Sequence, residues 1–302
     1  MRFKALVIFT VLLSLFIGTA VGCAKSFEPG TYTDDLGRGV VIEAVPQRIV
    51  CFGPSITEIA FALGLGERVV GVDDYSDYPA EALDLPKVGS SWAPSIESLV
   101  ALEPDLVLSL KHEQFNSDLE ALGITFLVID PTDIDGILAD IRLVGEVTDT
   151  IAEAEALADD IAERIAEVEA SVAGVDPVSV FYIIDATDPT LPWTAGPGSF
   201  IDTLITMAGG DNVAHDAPMA WAQFSLEEVV SADPDVIIIQ TMWGGVPTIE
   251  VSALEAHPIW GAMSAVSQGR VYLVDGDLVS RSGPRIVDGL EALAQAIHPE
   301  CD

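Results

Sequence analysis

The chain has 302 residues, half of them hydrophobic, and carries 48 acidic against 13 basic residues for a net charge of −35. That apolar content suffices for a large core, as one big unit or two domains, while a surface this acidic repels phosphate backbones and argues against a nucleic-acid partner. There are four lysines, none beyond Lys111. Charge of this kind is tolerated where salt screens self-repulsion, which points to adaptation to salt, with an ordinary acidic secreted protein as the alternative.

Arg2 and Lys4 precede an uncharged apolar run over residues 5–22 that ends in Ala20-Val21-Gly22-Cys23. A basic start, an apolar stretch and small residues before a cysteine mark an export signal whose Cys23 is lipidated. An uncleaved membrane helix is the other reading, since 18 apolar residues can just span a bilayer. Both tether the protein to the outer face of the cell membrane, in a periplasm or at the cell surface. Of the remaining cysteines, Cys51 sits in a strand-like run as a small buried hydrophobe. Cys301 falls on a terminal tail, and a bridge between the two is the less favoured reading.

Residues 24–47 are polar and turn-rich and read as a stalk ending in a hairpin. Apolar runs at 49–52, 69–72, 106–110 and 126–129, then at 178–184, 236–240 and 271–274, suit buried parallel strands. Their alternation with amphipathic segments predicts an α/β chain. The strongest signal is internal. Ser95, Glu97, Val100, Pro104 and Asp105 recur 130 residues later as Ser225, Glu227, Val230, Pro234 and Asp235. Each copy reads as a serine-capped helix, a proline stop and a buried strand. A weaker pair lies upstream, Gly53-Pro54-Ser55 and Gly196-Pro197-Gly198, each opening an apolar helix that ends near a glycine. Two similar lobes follow. Between them Thr148-Asp149-Thr150 with Glu153 reads as a capping box, starting a helix over 150–172 about 35 Å long, stiff enough to act as a strut.

The organisation is therefore a signal peptide (1–22), a lipidated stalk (23–47), an N-terminal lobe (48–132), linking helices (133–174), a C-terminal lobe (175–298) and a tail (299–302). The fold class is α/β, with two Rossmann-like lobes, parallel-type sheets and a long rigid helix joining them. Small ligands bind in clefts between domains, beyond the C-terminal ends of strands. Tyr75, Trp92, Trp193, Trp221 and Trp243 all fall in such loops, where flat rings have something to cover. Arg281 is a candidate donor to a ligand, and Arg285 a salt-bridge residue. No nucleophile elbow, phosphate loop or zincin histidine pair is present. His112, His215, His257 and His298 are scattered and read as surface residues. No enzyme activity, cofactor or metal is expected.

Several segments together resemble a known family. They are Pro54-Ser55-Ile56-Thr57-Glu58, Val70-Gly71-Val72, Tyr75-Ser76-Asp77-Tyr78-Pro79, Trp92, Gly209-Gly210-Asp211-Asn212, Trp221 and Pro284-Arg285. The chain is similar over residues 45–298 to the class III periplasmic binding proteins of ABC importers, which serve cobalamin, siderophores and haem, and most of all to the cobalamin branch. The resemblance implies an extracytoplasmic lipoprotein, acting as a monomer, that delivers a corrinoid to an ABC permease and its ATPase. It implies a cleft lined by Ser55, Tyr75, Trp92, Trp193, Trp221, Asp277, Leu278, Val279, Ser280 and Arg281, with Glu97 and Glu227 docking onto permease arginines. It also implies that the strut keeps lobe closure small. Leu278 and Val279 stand where the cobalamin branch has bulky aromatics, so one wall differs. A haem or iron-siderophore carrier is the alternative, although the few arginines in the cleft disfavour an anionic chelate.

Overall fold

The computed structural model describes residues 26–242 and 245–301. The export segment and Cys23 therefore lie outside the described residues, as does Trp243. Among those described, no helix is long and apolar enough to cross a membrane.

A hairpin of β1 (Gly30–Thr33) and β2 (Gly39–Ile42) leads into the first lobe. That lobe runs β3 (Ile49–Phe52), α1 (Pro54–Ala62), β4 (Val69–Val72), β5 (Gly89–Ser90), β6 (Ala93–Pro94), α2 (Ile96–Ala101), β7 (Leu106–Ser109), α3 (Glu113–Leu122) and β8 (Phe126–Val128). Two helices follow, α4 (Ile134–Thr148) and α5 (Ile151–Ser171). The second lobe begins with β9 (Val178–Ile183), β10 (Trp193–Ala195), α6 (Phe200–Met207), β11 (Gly210–Asn212), β12 (Trp221–Gln223), α7 (Leu226–Ala232) and β13 (Val236–Met242). It closes with β14 (Val246–Pro247), α8 (Val251–Ala256), α9 (Ser264–Ser267), β15 (Val271–Asp275), α10 (Gly276–Ser280) and α11 (Ile286–Ile297).

The first sheet is parallel in the order β4-β3-β7-β8. The second repeats it as β11-β9-β13-β15, again parallel, with β14 added as a short antiparallel strand. All four residues of β3 and of β7 are buried, as a parallel sheet covered on both faces requires. The sequence repeat is thus a structural one. Ser95 caps α2 by accepting from the Ser98 N–H, and Ser225 caps α7 through a capping box with Glu228. Asp105 accepts the N–H groups of Gln47 and Arg48 at the start of β3, and Asp235 accepts the Ser179 hydroxyl at the start of β9. In both lobes the same aspartate ties the repeat strand to the lobe's first strand.

Helix α5 has 21 residues, about 31 Å of rise. Its Ala158, Ile161 and Ile165 belong to one core cluster that includes Ile56 and Ile59 of α1, Ile141 and Val144 of α4, Tyr182 of β9 and Leu290 of α11. The core therefore passes through the strut from lobe to lobe. Arg164 of α5 also pairs with Asp288 and Glu291 of α11. The expected capping box at Thr150 does not form. The Thr150 hydroxyl is 2.9 Å from that of Thr148 and makes no cap bond. The β5–β6 hairpin and the antiparallel pairing of β10 with β12 were not foreseen, because strands of two or three residues leave no alternation to read. Cys51 is buried and Cys301 half-buried, and both are free thiols.

A second tie joins the lobes directly. Glu58 of α1, 3% exposed, accepts Arg285 through both carboxylate oxygens at 2.6 and 2.9 Å and Arg281 at 3.1 Å. Arg281 also reaches Asp77 at 2.8 Å and Asp277 at 2.9 Å, and the Arg285 guanidinium lies 3.9 Å over the Tyr78 ring. Two arginines of the second lobe thus converge on the first. Removing one partner of a buried pair leaves an uncompensated charge. Glu58→Ala is expected to lower stability by about 3–5 kcal/mol in urea unfolding. Arg142→Ala, which breaks only the exposed pairs with Glu155 and Asp159, should cost under about 1 kcal/mol.

The leading hairpin adds an acid cluster. Asp34 accepts from Arg38 and from the Val128 N–H, and Asp35 lies beside Asp130 and the buried Asp140. Burial, the charge of Asp35, a hydrogen bond with it and the charge of Asp130 push the Asp140 carboxyl up to about 8. The folded chain then holds a proton that the unfolded chain, ordinary near 4, has released. Stability should fall as pH rises between about 4 and about 8. Asp140→Asn, which carries no titrating proton, should flatten that slope in denaturation curves measured across the range.

Candidate functional site

The contact of Arg281 with Asp77 and Glu58 fixes what faces what. Arg281 follows β15, Asp77 follows β4 and Glu58 lies on the helix after β3. The C-terminal edges of the two sheets therefore oppose each other, which is where α/β sheets bind ligands.

On the first lobe, Gly53 turns the chain from β3 into α1 at φ 150°, and a Cβ there would lie 2.7 Å from Leu110. The following loop is a braced wall. Asp73 is buried, receives the Tyr75 N–H and is hydrogen-bonded by the Ser76 hydroxyl, which in turn meets Thr57 at 2.7 Å. Burial pushes the Asp73 carboxyl up, against the pull of Ser76, the Tyr75 N–H and Lys87. Lys87 donates to the Ser76 carbonyl at 2.9 Å. This frame holds out Tyr75, 36% exposed. Trp92, 88% exposed, sits at the tip of β5–β6. Gly89 makes that tip possible, since a Cβ would fall 2.3 Å from the Ala93 carbonyl oxygen.

On the second lobe, β10 pairs antiparallel with β12, Trp193 opposite Gln223 and Ala195 opposite Trp221. Residues two apart share a face and opposed residues share it too. Trp193 and Trp221 are thus diagonal neighbours on one face, at 43% and 50% exposure. Each lobe carries an exposed aromatic on a short antiparallel strand pair directly before its repeat helix, Trp92 before α2 and Trp221 before α7.

Three expected lining residues sit differently. Ser55 is buried beneath the Gly283 backbone, which approaches so closely that a Cβ there would lie 3.2 Å from the Ser55 carbonyl oxygen. Val279 is fully buried in the core, where the gap left by Gly289 receives it, so its side chain forms no cleft wall. Arg281 is only 9% exposed and its guanidinium is shared among Glu58, Asp77 and Asp277. Its expected role as a free donor meets a group already in use, and Arg285 forms the salt bridge foreseen for it. Asp277 is partly buried, which raises its carboxyl while Arg281 opposes. Leu278 is half-buried and Ser280 exposed. Glu97 and Glu227 are exposed, each the second residue of its helix, where the helix dipole favours an acid.

The residues missed from the sequence are Glu58 and Asp77. Glu58 did leave a signal, as the one charge within the apolar helix Pro54–Ala62. A further miss is His298, taken as a surface residue but 2% exposed.

Residues 49–278 match the family described as periplasmic binding protein. An uncharacterized ABC transporter substrate-binding lipoprotein, YvrC, of Bacillus subtilis is 33% identical over 90% of this chain and 86% of its own length. A vitamin B12-binding protein of Pectobacterium carotovorum is 31% identical over 81% of this chain and 86% of its own. The periplasmic heme-binding protein RhuT of Roseiflexus sp. RS-1 superposes with a TM-score of 0.73 at 29% identity, covering 85% of this chain and 99% of that one. With the repeated sheet, the opposed sheet edges and the helical strut in place, the match over residues 49–278 makes this chain a member of the periplasmic binding protein family.

Proposed function

We propose that this chain is the extracytoplasmic, lipid-anchored binding subunit of an ABC importer, and that it captures a corrinoid between its lobes and presents it to the permease. The observation that carries the ligand class is the set of exposed aromatics at the opposed sheet edges, Tyr75 and Trp92 on loops of the first lobe and Trp193 and Trp221 on the short strands β10 and β12 of the second. Flat rings bury a large apolar face with little entropy to lose, which suits a macrocycle. The charge at the floor supports the same reading. Arg281 and Arg285 are already matched by Glu58, Asp77 and Asp277, so neither guanidinium is left over for an anionic chelate. A neutral ring bearing amides suits that floor better. The likeness to a vitamin B12-binding protein supports the same choice. Haem is the second reading, favoured by the likeness to a heme-binding protein and by the presence of a tyrosine, Tyr75, a residue type able to ligate haem iron, on the loop after β4.

Titration of the purified chain with cyanocobalamin, and separately with haem, tests this. Cobalamin should quench tryptophan fluorescence at micromolar concentration. Trp193→Ala and Trp221→Ala should each weaken it about tenfold or more, roughly 1.4 kcal/mol. Saturable binding of haem with no response to cobalamin would select the second reading.

Delivery is proposed to run through Glu97 and Glu227, one per lobe at equivalent helix positions. Reversing both to Arg should abolish ligand uptake by cells carrying the importer while leaving the tryptophan titration unchanged. Loss of binding in that double variant would place these acids at the ligand instead.

A further inference from the structure

We infer that His298, Glu300 and Cys301 form a binding site for one zinc-class divalent cation. The site lies on the far side of the second lobe, where the chain leaves α11 and turns back over a groove between α5 and α11. Its key is the histidine tautomer. His298 Nε2 lies 3.0 Å from the Gly209 carbonyl oxygen. A carbonyl can only accept, so the neutral ring carries its proton on Nε2 and its lone pair on Nδ1. Nδ1 is buried and has no hydrogen-bond partner among the described residues. Metal-binding histidines are held in this way, with the outer N–H on a carbonyl and the inner nitrogen aimed at the ion. Gly209 is required for the seat. Its φ is +76°, and a Cβ would come 2.8 Å from His298 Nε2.

Two further ligand atoms face that lone pair. Glu300 Oε1 is 3.5 Å from Nδ1, and the Cys301 Sγ completes a group whose atoms all lie within 4.8 Å of one another. The Cys301 N–H donates to the His298 carbonyl at 3.0 Å, a turn that brings the thiol back over the ring. A tetrahedral site with bonds of about 2.0–2.3 Å has edges of about 3.3–3.7 Å. The nitrogen–oxygen separation already matches such an edge, and the sulfur, within 4.8 Å of both, needs a shift of at most about 1 Å. One nitrogen, one carboxylate oxygen and one thiolate suit zinc and exclude calcium and magnesium, which take oxygen ligands. The groove beside the site, lined by Val168, Ser171, Val172 and Gln295, leaves the fourth position open to water. Bound there, the ion would fasten the end of the chain against the strut and make the last turn of α11 part of the fold.

The test uses the full chain purified in detergent without a histidine tag, titrated with Co²⁺ and then Zn²⁺. One equivalent of Co²⁺ should produce a thiolate-to-cobalt charge-transfer band that Zn²⁺ abolishes. Because His298→Gln would disturb a buried contact, Cys301→Ser and Glu300→Gln carry the test. Cys301→Ser should lose the band, and both should weaken Zn²⁺ by more than about tenfold against a chelator, at least the effect of losing an outer-shell partner. Metal-free thermal unfolding should match the parent chain in both. A missing cobalt–thiolate band, a band that persists in Cys301→Ser, or equal Zn²⁺ affinity in all three chains would overturn the assignment.

Discussion

The arrangement of this molecule turns on the buried carboxylate of Glu58. A carboxylate taken out of water without partners is strongly disfavoured. Here its partners come from the other lobe, as the guanidinium groups of Arg281 and Arg285. The first lobe cannot satisfy its own helix α1 unless the second lobe is docked. That dependence brings the loop after β15 onto the loop after β4, and the opposed sheet edges follow from it. Gly283 pressed onto Ser55 is the steric counterpart of the same contact. The core running through α5 restrains the lobes at the back, and the ion cluster restrains them at the floor of the cleft. A molecule tied at both places has little hinge freedom.

The ion cluster also governs the electrostatics of the mouth. The chain carries 13 basic residues against 48 acidic ones, and five of the arginines pair with carboxylates while Arg48, Arg68 and Arg270 donate to backbone carbonyls. Two of the arginines are consumed at the floor, and Arg164 is consumed holding α11 to the strut. What remains facing the cleft is aromatic and acidic, on loops whose own hydrogen bonds, such as those from Ser76 and Lys87, keep them in shape. On the proposed corrinoid reading, selectivity there would rest on shape and apolar area more than on charge pairing.

Much of this was legible in the sequence, for identifiable reasons. The buried strands were readable because parallel strands covered on both faces must be continuous apolar runs. The lobes were readable because one helix-stop-strand unit occurs twice, and Asp105 and Asp235 proved to do equivalent work at equivalent strand starts. The failures share a different cause, since each depends on a partner distant in sequence or on competition between neighbours. Arg281 was open to any role until Glu58 and Asp77, over 200 positions away, were seen beside it. Val279 and Leu278 are adjacent, yet one enters the core and the other does not, because α10 is too short for its periodicity to be read. Thr150 had the sequence of a cap, but the Thr148 hydroxyl is nearer. His298 looked like a surface residue, and Cys301 like a tail residue, because only folding brings Gly209 under the imidazole.

The repeat also bears on how cargo and delivery can be linked. Trp92 stands five residues before Glu97, and Trp221 six before Glu227. In each lobe a capped helix start joins the two, with Ser95 or Ser225 fixing the first turn. An exposed ring and an exposed acid therefore stand close together in each lobe, on a short antiparallel strand pair and the start of the repeat helix that follows it. Any partner that grips both acids also sets the separation of Trp92 from Trp221. A small change in that separation alters the contact of a flat ligand with both rings at once, because packing attraction falls steeply over a gap of about 1 Å. The lobes need not swing open for a docked partner to loosen what they hold.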